Sequence, residues 1–320
     1  MKGLTEIAGL RVGHASDYEA LTGCTVVLCQ GGAVAGADLR GSASGTEELP
    51  VMSPDHIAPH VHAVVLAGGS AFGLEAASGV RRYLEQHGVG FETGVARVPI
   101  VPCAILYDLG IGKPNVRPTR EMGEAAAAAA SDGPVREGAV GAGTGATVGK
   151  LFGLRQAMKS GIGSWCVVLE GPLAGVKVAA LAAVNAFGDV VDPETGKILA
   201  GARVSPDSRE FADTARQLKR GVRSGFPRAN TTLVVVGTNA ALDKASAQKL
   251  AALAQAGVAR TIRPAHTPYD GDLVIALSLG KERADLAALG VAAAEAVEQA
   301  ILRAVKMAPT IGGVPGLASW

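Results

Sequence analysis

The sequence lacks several features that mark whole classes of protein. Its four cysteines (Cys24, Cys29, Cys103 and Cys166) form no CxxC pair. That sets aside a zinc ribbon and a disulfide framework, and the simplest reading is a reduced, cytoplasmic chain with buried thiols. No run of about 18 uninterrupted apolar residues occurs. The most apolar segment, 176–191, is broken by Lys177, Asn185 and Asp189, so no membrane span and no membrane partner is expected. The opening Met1-Lys2-Gly3-Leu4-Thr5-Glu6 has no apolar stretch of the secretory kind. No long basic run appears either, and 30 Lys and Arg against 29 Asp and Glu leave a formal net charge of +1. Nucleic acid is therefore not expected as a partner. Aromatic residues make up only 4%, so the core must be packed from Ala, Val, Leu and Gly. His56, His60 and His62 cluster, but no H-E-x-x-H or comparable third-ligand spacing accompanies them. They read as ordinary surface or core histidines, and no metal or organic cofactor is expected.

What is present fits a globular protein. The 320 residues are 48% hydrophobic and 18% charged, enough to bury a large core as one domain or two intimate halves. Short β-like runs alternate with Ala-rich helical stretches. Residues 24–28 and 62–66 read as buried strands, as do 166–169 and 176–185, joined by a turn at Gly171-Pro172. Helices are expected over 74–86, ended by Gly88, and over 120–130. Another is expected over 206–220, with Ser205 as N-cap and Pro206 at the first helical position. A further helix, capped by Asn239, carries Leu242, Ser246, Leu250 and Leu253 on one face and stops at Gly257. The last helix reads over 281–306. A loop rich in Gly, Arg, Ser and Pro spans 221–230 and feeds a strand over 231–236 that is apolar on both faces, hence central in a sheet. Residues 273–279 form another strand. Strands outnumber a strict βαβ alternation, which favours sheets sandwiched between helix layers over a doubly wound sheet.

Two glycine-rich motifs invite functional readings and fail them in detail. The segment 141–150 resembles a phosphate-binding loop, but Thr144 stands where the first Gly is needed and Leu151 follows Lys150 where a Ser or Thr must bind magnesium. In Gly68-Gly69-Ser70-Ala71-Phe72-Gly73, the residue two after Ser70 is Phe72, so the G-x-S-x-G elbow is not met. A glycine turn that starts a helix, with Ser70 near its N-cap, is the preferred reading.

Asn230-Thr231-Thr232 carries more information. A Thr hydroxyl is a poor nucleophile without an adjacent base. Cleavage directly before Thr231 supplies one, its own α-amino group, with a pKa of about 8. Read alone, the tripeptide is also explained as a plain loop-to-strand junction. Downstream, Asp270 and Asp272 lie two apart and share a face if extended. Such a pair can orient the nucleophile and carry its proton, although an Asp-Gly turn accounts for them equally well.

In combination these segments resemble the family of L-aminopeptidase/D-esterase-amidases (DmpA-type). That family includes β-peptidyl aminopeptidases and the endo-type hydrolase of 6-aminohexanoate (nylon) oligomers. The marks are Arg11-Val12-Gly13-His14, Gly68-Gly69-Ser70-Ala71-Phe72-Gly73-Leu74, Val98-Pro99-Ile100-Val101-Pro102, the run from Gly143 to Lys150, Asn230-Thr231-Thr232 and Asp270-Gly271-Asp272. They span nearly the whole chain. The resemblance implies an α/β (α+β) fold, an αββα sandwich of the kind ornithine acetyltransferases share. It implies one hydrolase domain, 1–320, that cuts its own Asn230–Thr231 bond into a large chain 1–230 and a small chain 231–320. It also implies a homo-oligomer, a tetramer of such pairs.

The resemblance assigns roles residue by residue. Thr231 matches the nucleophile, and Asp270 and Asp272 match the acidic pair beside it. Lys150 matches a catalytic lysine, and Asn185 matches the asparagine that helps stabilise the oxyanion. Tyr107 matches a pocket tyrosine able to hydrogen-bond the reacting carbonyl. The chemistry agrees for two of these: Asn185 can donate to a developing oxyanion, and a desolvated Lys150 adds positive charge near it. There are departures. The aminopeptidase members use Ser as nucleophile, and the β-aminopeptidases carry Ser and Glu where this chain has Asp270 and Asp272. Both differences point towards the nylon-oligomer hydrolase, while the segments around Ser70 and Lys150 read like the general peptidases. The expected activity is therefore amide hydrolysis through a Thr231 acyl-enzyme, on short peptides or amino-acid amides with a free amino end. Internal cleavage of nylon-type oligomers is the alternative, an acyltransferase the more distant one, and a non-enzymatic binding protein the outside case.

Overall fold

The computed structural model describes residues 2–224 and 230–320. Its main strands are β1 (Arg11–Asp17), β2 (Thr22–Leu39), β3 (Val61–Ala67), β4 (Cys103–Ile105), β5 (Ile162–Val168), β6 (Lys177–Asn185), β7 (Thr231–Ala240) and β8 (Leu273–Glu282). The helices are α1 (Ala76–Gln86), α2 (Arg120–Ala128), α3 (Thr214–Lys219), α4 (Lys244–Thr261) and α5 (Leu286–Lys306).

One long strand ties the architecture together. The first half of β2 pairs antiparallel with β1 and β3, and β4 adds to β3 in parallel. The second half pairs antiparallel with β8. Beyond β8 the order continues through β7, β6 and β5, with only β7 and β8 parallel. Between the two halves the register slips from Leu28 to Ala33, and Gly32 there adopts φ +85°, a backbone state open to glycine at little cost. The strand turns at this point from one sheet into the other.

Strand periodicity then sorts the apolar residues into three layers. On β7, Leu233 and Val235 join a core shared with Leu181 of β6, Ile275 of β8, Val27 of β2 and Val64 of β3. That core lies between the two sheets. Val234 and Val236 face the opposite way, with Leu250 of α4 and Val297 and Ile301 of α5. On the other sheet, Val26, Ala63 and Val65 pack against Ala77 and Val80 of α1 and Ala126 of α2. The layers run helices, sheet, sheet, helices, the αββα sandwich expected from the sequence, and β7 is central as its two apolar faces required.

Four element boundaries differ from expectation. Only α3 forms within 206–220: its cap is Asp213, which accepts from the Arg216 amide at 3.0 Å. The chain before it stays non-helical because Ala212 N–H donates to Ala202 O and buried Asp189 gathers the Ala202 and Thr214 amides and the Thr214 hydroxyl. Asn239 caps no helix. It lies in β7, where its side chain bridges Lys177 N and Gly175 O, and Asp243 caps α4 instead. Gly257 does not end α4. A Cβ there would meet Ala294 O at 2.4 Å, so this glycine lets α4 and α5 approach closely. Lys281 and Glu282 belong to β8, and α5 begins at Leu286 behind an Asp285 cap. Of the loop expected over 221–230, residues 225–229 lie outside the described residues. Among the described residues, no helix is long and apolar enough to cross a membrane.

Candidate active site

Thr231 opens β7 at one end of the sandwich. By alternation it shares the inter-sheet face with Leu233 and Val235, and its register partner on β6 is Asn185, which ends that strand. Two neighbouring strands thus bring together the residues that the sequence picks out at 185 and 231. The third contribution comes from the turn before β8, because the Asn230 backbone bridges to Asp270. Thr231, Asn185, Lys150, Asp270 and Asp272 are each no more than 2% exposed, so every polar group here must find a partner inside the protein.

The partners form a continuous network. Thr231 Oγ1 donates to the carbonyl oxygen of Asn230 at 2.6 Å, and the Gly271 amide donates to that same oxygen at 2.8 Å. The Thr231 hydroxyl therefore sits against the carbonyl group it would have to attack. Asn230 is fixed from its other side, its backbone and side-chain N–H groups both donating to Tyr269 O. Asp272 Oδ1 accepts the Thr232 amide at 2.7 Å, and Oδ2 accepts the His266 amide and meets His266 Nδ1, both at 3.0 Å. Asp270 accepts the Phe187 amide at 3.1 Å and, on its other oxygen, the Thr267 hydroxyl. The two carboxylates flank the Asn230–Thr232 segment but grip different neighbours.

Lys150 reaches in from the loop after the glycine-rich run. Its ammonium donates to Asn185 O at 2.8 Å and Asn185 Oδ1 at 2.7 Å. The same Oδ1 accepts the Thr147 amide, while Asn185 Nδ2 donates to Tyr107 O. The carboxamide is thus locked with its oxygen towards the lysine. One of its two N–H bonds is committed to Tyr107, and the other is left for a further acceptor. Tyr107 therefore joins the site through its backbone carbonyl.

Burial dominates the electrostatics. It pushes the Lys150 ammonium down to about 7, opposed by the negative charges of Asp270 and Asp108. It raises Asp270 to about 6, helped by the charge of Asp272. Close to pH 7 the site therefore holds groups that exchange protons readily, as acid–base chemistry requires.

Three groups escaped the sequence reading. Asp108, raised by burial to about 6, accepts the Gly69 amide and the Thr22 hydroxyl. A Cβ on Gly68 would strike its Oδ2 at 2.1 Å, so the Gly68-Gly69 pair serves as the cradle of a carboxylate. Ser70 starts the short helix behind it, with Gly69 as the cap. Lys159 is fully buried, donating to Gly143 O, Ala146 O and Ser160 O, and so braces the loop that carries Thr147 and Lys150. His266 grips Asp272. The partners of Asp108 lie 39 and 86 residues away, and no local spacing marks Lys159 or His266 either. Of the clustered histidines, His62 Nδ1 accepts the Ile100 amide and His56 Nδ1 the Ala58 amide. Among the described residues no group of three or more His, Cys, Asp or Glu is placed to hold a metal ion.

The profile of peptidase family S58 matches residues 2–318. The chain is 40% identical to an uncharacterised aminopeptidase of Mycobacterium tuberculosis, covering 98% of this chain and 96% of that one. It is 29% identical to the 6-aminohexanoate-oligomer endohydrolase of Paenarthrobacter ureafaciens, covering 94% and 85%. Among solved structures, the L-aminopeptidase D-Ala-esterase/amidase of Ochrobactrum anthropi, described as a variant of the Ntn hydrolase fold, superposes with a TM-score of 0.73 at 21% identity, covering 98% and 88%. A β-aminopeptidase of a Burkholderia species does so with a TM-score of 0.70 at 23% identity, covering 99% and 90%.

Proposed function

The chain belongs to peptidase family S58, and from that premise we propose that it is a self-processing amide hydrolase whose nucleophile is Thr231. It is a peptidase or amidohydrolase by family. The finer reading rests on one observation: the Thr231 hydroxyl and the Gly271 amide converge on the carbonyl oxygen of Asn230. In this reading Thr231 Oγ1 bonds to the Asn230 carbonyl carbon while the Gly271 N–H carries the developing oxyanion. The C–N bond to Thr231 breaks, the hydroxyl proton passes to the departing nitrogen, and water opens the resulting ester. Chains 1–230 and 231–320 result, and the new α-amine becomes the base for the hydroxyl beside it.

Turnover repeats the chemistry on a substrate amide. The remaining Asn185 Nδ2 hydrogen serves the oxyanion, with its carboxamide held by Lys150, Thr147 and Tyr107. Asp272 holds the start of β7 through the Thr232 amide, and the two carboxylates balance the charge of the amine. The substrates proposed are short peptides or amino-acid amides with a free amino end, in line with the name of the 40%-identical relative. A cytoplasmic location and assembly of cleaved pairs into a homo-oligomer, a tetramer, belong to the same reading. Internal cleavage of 6-aminohexanoate oligomers is the second reading, favoured by the Thr231, Asp270 and Asp272 set and by the endohydrolase relative.

End-group analysis separates the two. Purified enzyme is offered a series of short peptides, their N-acetylated counterparts and a linear 6-aminohexanoate oligomer. The first reading expects release of N-terminal residues from free peptides and little action on the blocked ones. Internal fragments from the oligomer, with free peptides left intact, would favour the second.

A further inference from the structure

His266 has a place in this site that its sequence context does not announce. It adopts φ +55°, a left-handed backbone that costs a non-glycine residue free energy unless its surroundings hold it there. What holds it is Asp272: the His266 amide and Nδ1 both lie 3.0 Å from Asp272 Oδ2. The other oxygen of that carboxylate accepts the Thr232 amide at 2.7 Å, directly after Thr231. His266 Nε2 is buried and has no partner among the described residues. Nδ1 faces the carboxylate, so the ring is anchored on that side. The ring is thus tied to Asp272 through Nδ1, and the titratable groups that share the cluster are Asp270 and Lys150.

We propose that His266 is a positioning residue for the reaction, fixing the Asp272 carboxylate against the first residues of β7 so that the Thr231 amine and hydroxyl keep their mutual orientation. The proposal rests on the reading of Thr231 as nucleophile. Without the imidazole, Oδ2 keeps one donor in place of two, and the carboxylate can swing about the Thr232 bond. A misplacement of about 1 Å in such a constellation costs about 10² in rate.

The left-handed backbone makes the test clean, because Gly and Asn both accept it. His266→Gly removes the side chain without backbone strain, and His266→Asn keeps a side-chain N–H at about the reach of Nδ1. Both variants are made in the full chain and checked by circular dichroism. Self-cleavage time courses and steady-state amide hydrolysis are then measured beside Thr231→Ala. The expected result is a loss of roughly tenfold to 10²-fold in kcat for the Gly variant, with KM within about twofold, and recovery of most of the loss by Asn. If the Gly variant is too slow to mature, the cleavage time course carries the same comparison. Equal behaviour of both variants, whether wild-type-like or equally impaired, overturns the proposal. An active Thr231→Ala enzyme overturns the nucleophile reading itself, and inactivity of that control beside wild-type-like His266 variants overturns the role of His266 alone.

Discussion

The Thr231 hydroxyl lies 2.6 Å from the carbonyl oxygen of Asn230, the residue it follows. The contact is a consequence of placement. β7 starts at Thr231, Asn230 is pinned to Tyr269 and Gly271, and Asp272 grips the next amide. The Asn230–Thr231 bond is thus held rigidly on its C-terminal side by the central strand of a sheet, while the chain that precedes Asn230 belongs to a Gly-, Arg-, Ser- and Pro-rich segment.

Thr231→Ala is expected to abolish both self-cleavage and amide turnover, since it removes the hydroxyl that lies against the Asn230 carbonyl. Thr231→Ser keeps a hydroxyl on the same Cβ and should retain part of both. Gel analysis of chain cleavage together with an amide hydrolysis assay checks this. Near wild-type turnover by the Ala variant would make Thr231 structural.

Asn185→Ala should lower kcat by roughly 10²–10³, the usual effect of removing one oxyanion donor. Self-cleavage should slow less, because the Asn230 carbonyl is held by the Gly271 amide and not by Asn185. A time course of processing beside the kinetics of the processed fraction reads the two effects separately. Equal losses in both would show that one donor serves both reactions.

Much of this arrangement is legible in the sequence, because it depends on local pattern. The both-faces-apolar run after Thr231 marks a central strand, and alternation along β7 then dictates which way Thr231 points. What is not legible depends on contacts between distant segments. Asn239 looks like a helix cap but is captured by Lys177 and Gly175 across the sheet. Gly257 looks like a stop but is a crossing point of two helices. Ser205-Pro206 starts no helix because Asp189 draws the following chain elsewhere. At the site, Thr231, Asp270 and Asp272 stand out through their motifs. Lys159 and His266 act through hydrogen bonds to backbone carbonyls and to a carboxylate that leave no periodic trace.

The pH dependence of stability should carry the signature of Asp270. Burial raises its carboxyl from 3.8 to about 6. A folded-state value above the unfolded one means that the proton favours the fold. This contribution is full below about 3.8 and is lost as pH rises through about 6. In the uncleaved Thr231→Ala background, Asp270→Asn should remove that part of the pH dependence. The Tm of the Asn variant should therefore gain on its parent by a few degrees between about pH 4 and pH 6. Scanning calorimetry across that range measures it, and a constant offset would show that Asp270 does not titrate there.

Activity should survive strong chelators, since among the described residues no three or more histidines, cysteines or carboxylates converge on one point. An assay after dialysis against chelator tests this. Loss of activity that zinc restores would move attention to His56, His60 and His62.

The most direct measurement is intact-mass spectrometry of the purified enzyme along the time course on which activity appears. The account predicts two chains, 1–230 and 231–320, the smaller beginning at Thr231 and rising in step with amide hydrolysis. Fully active enzyme that remains a single chain of residues 1–320 would contradict it.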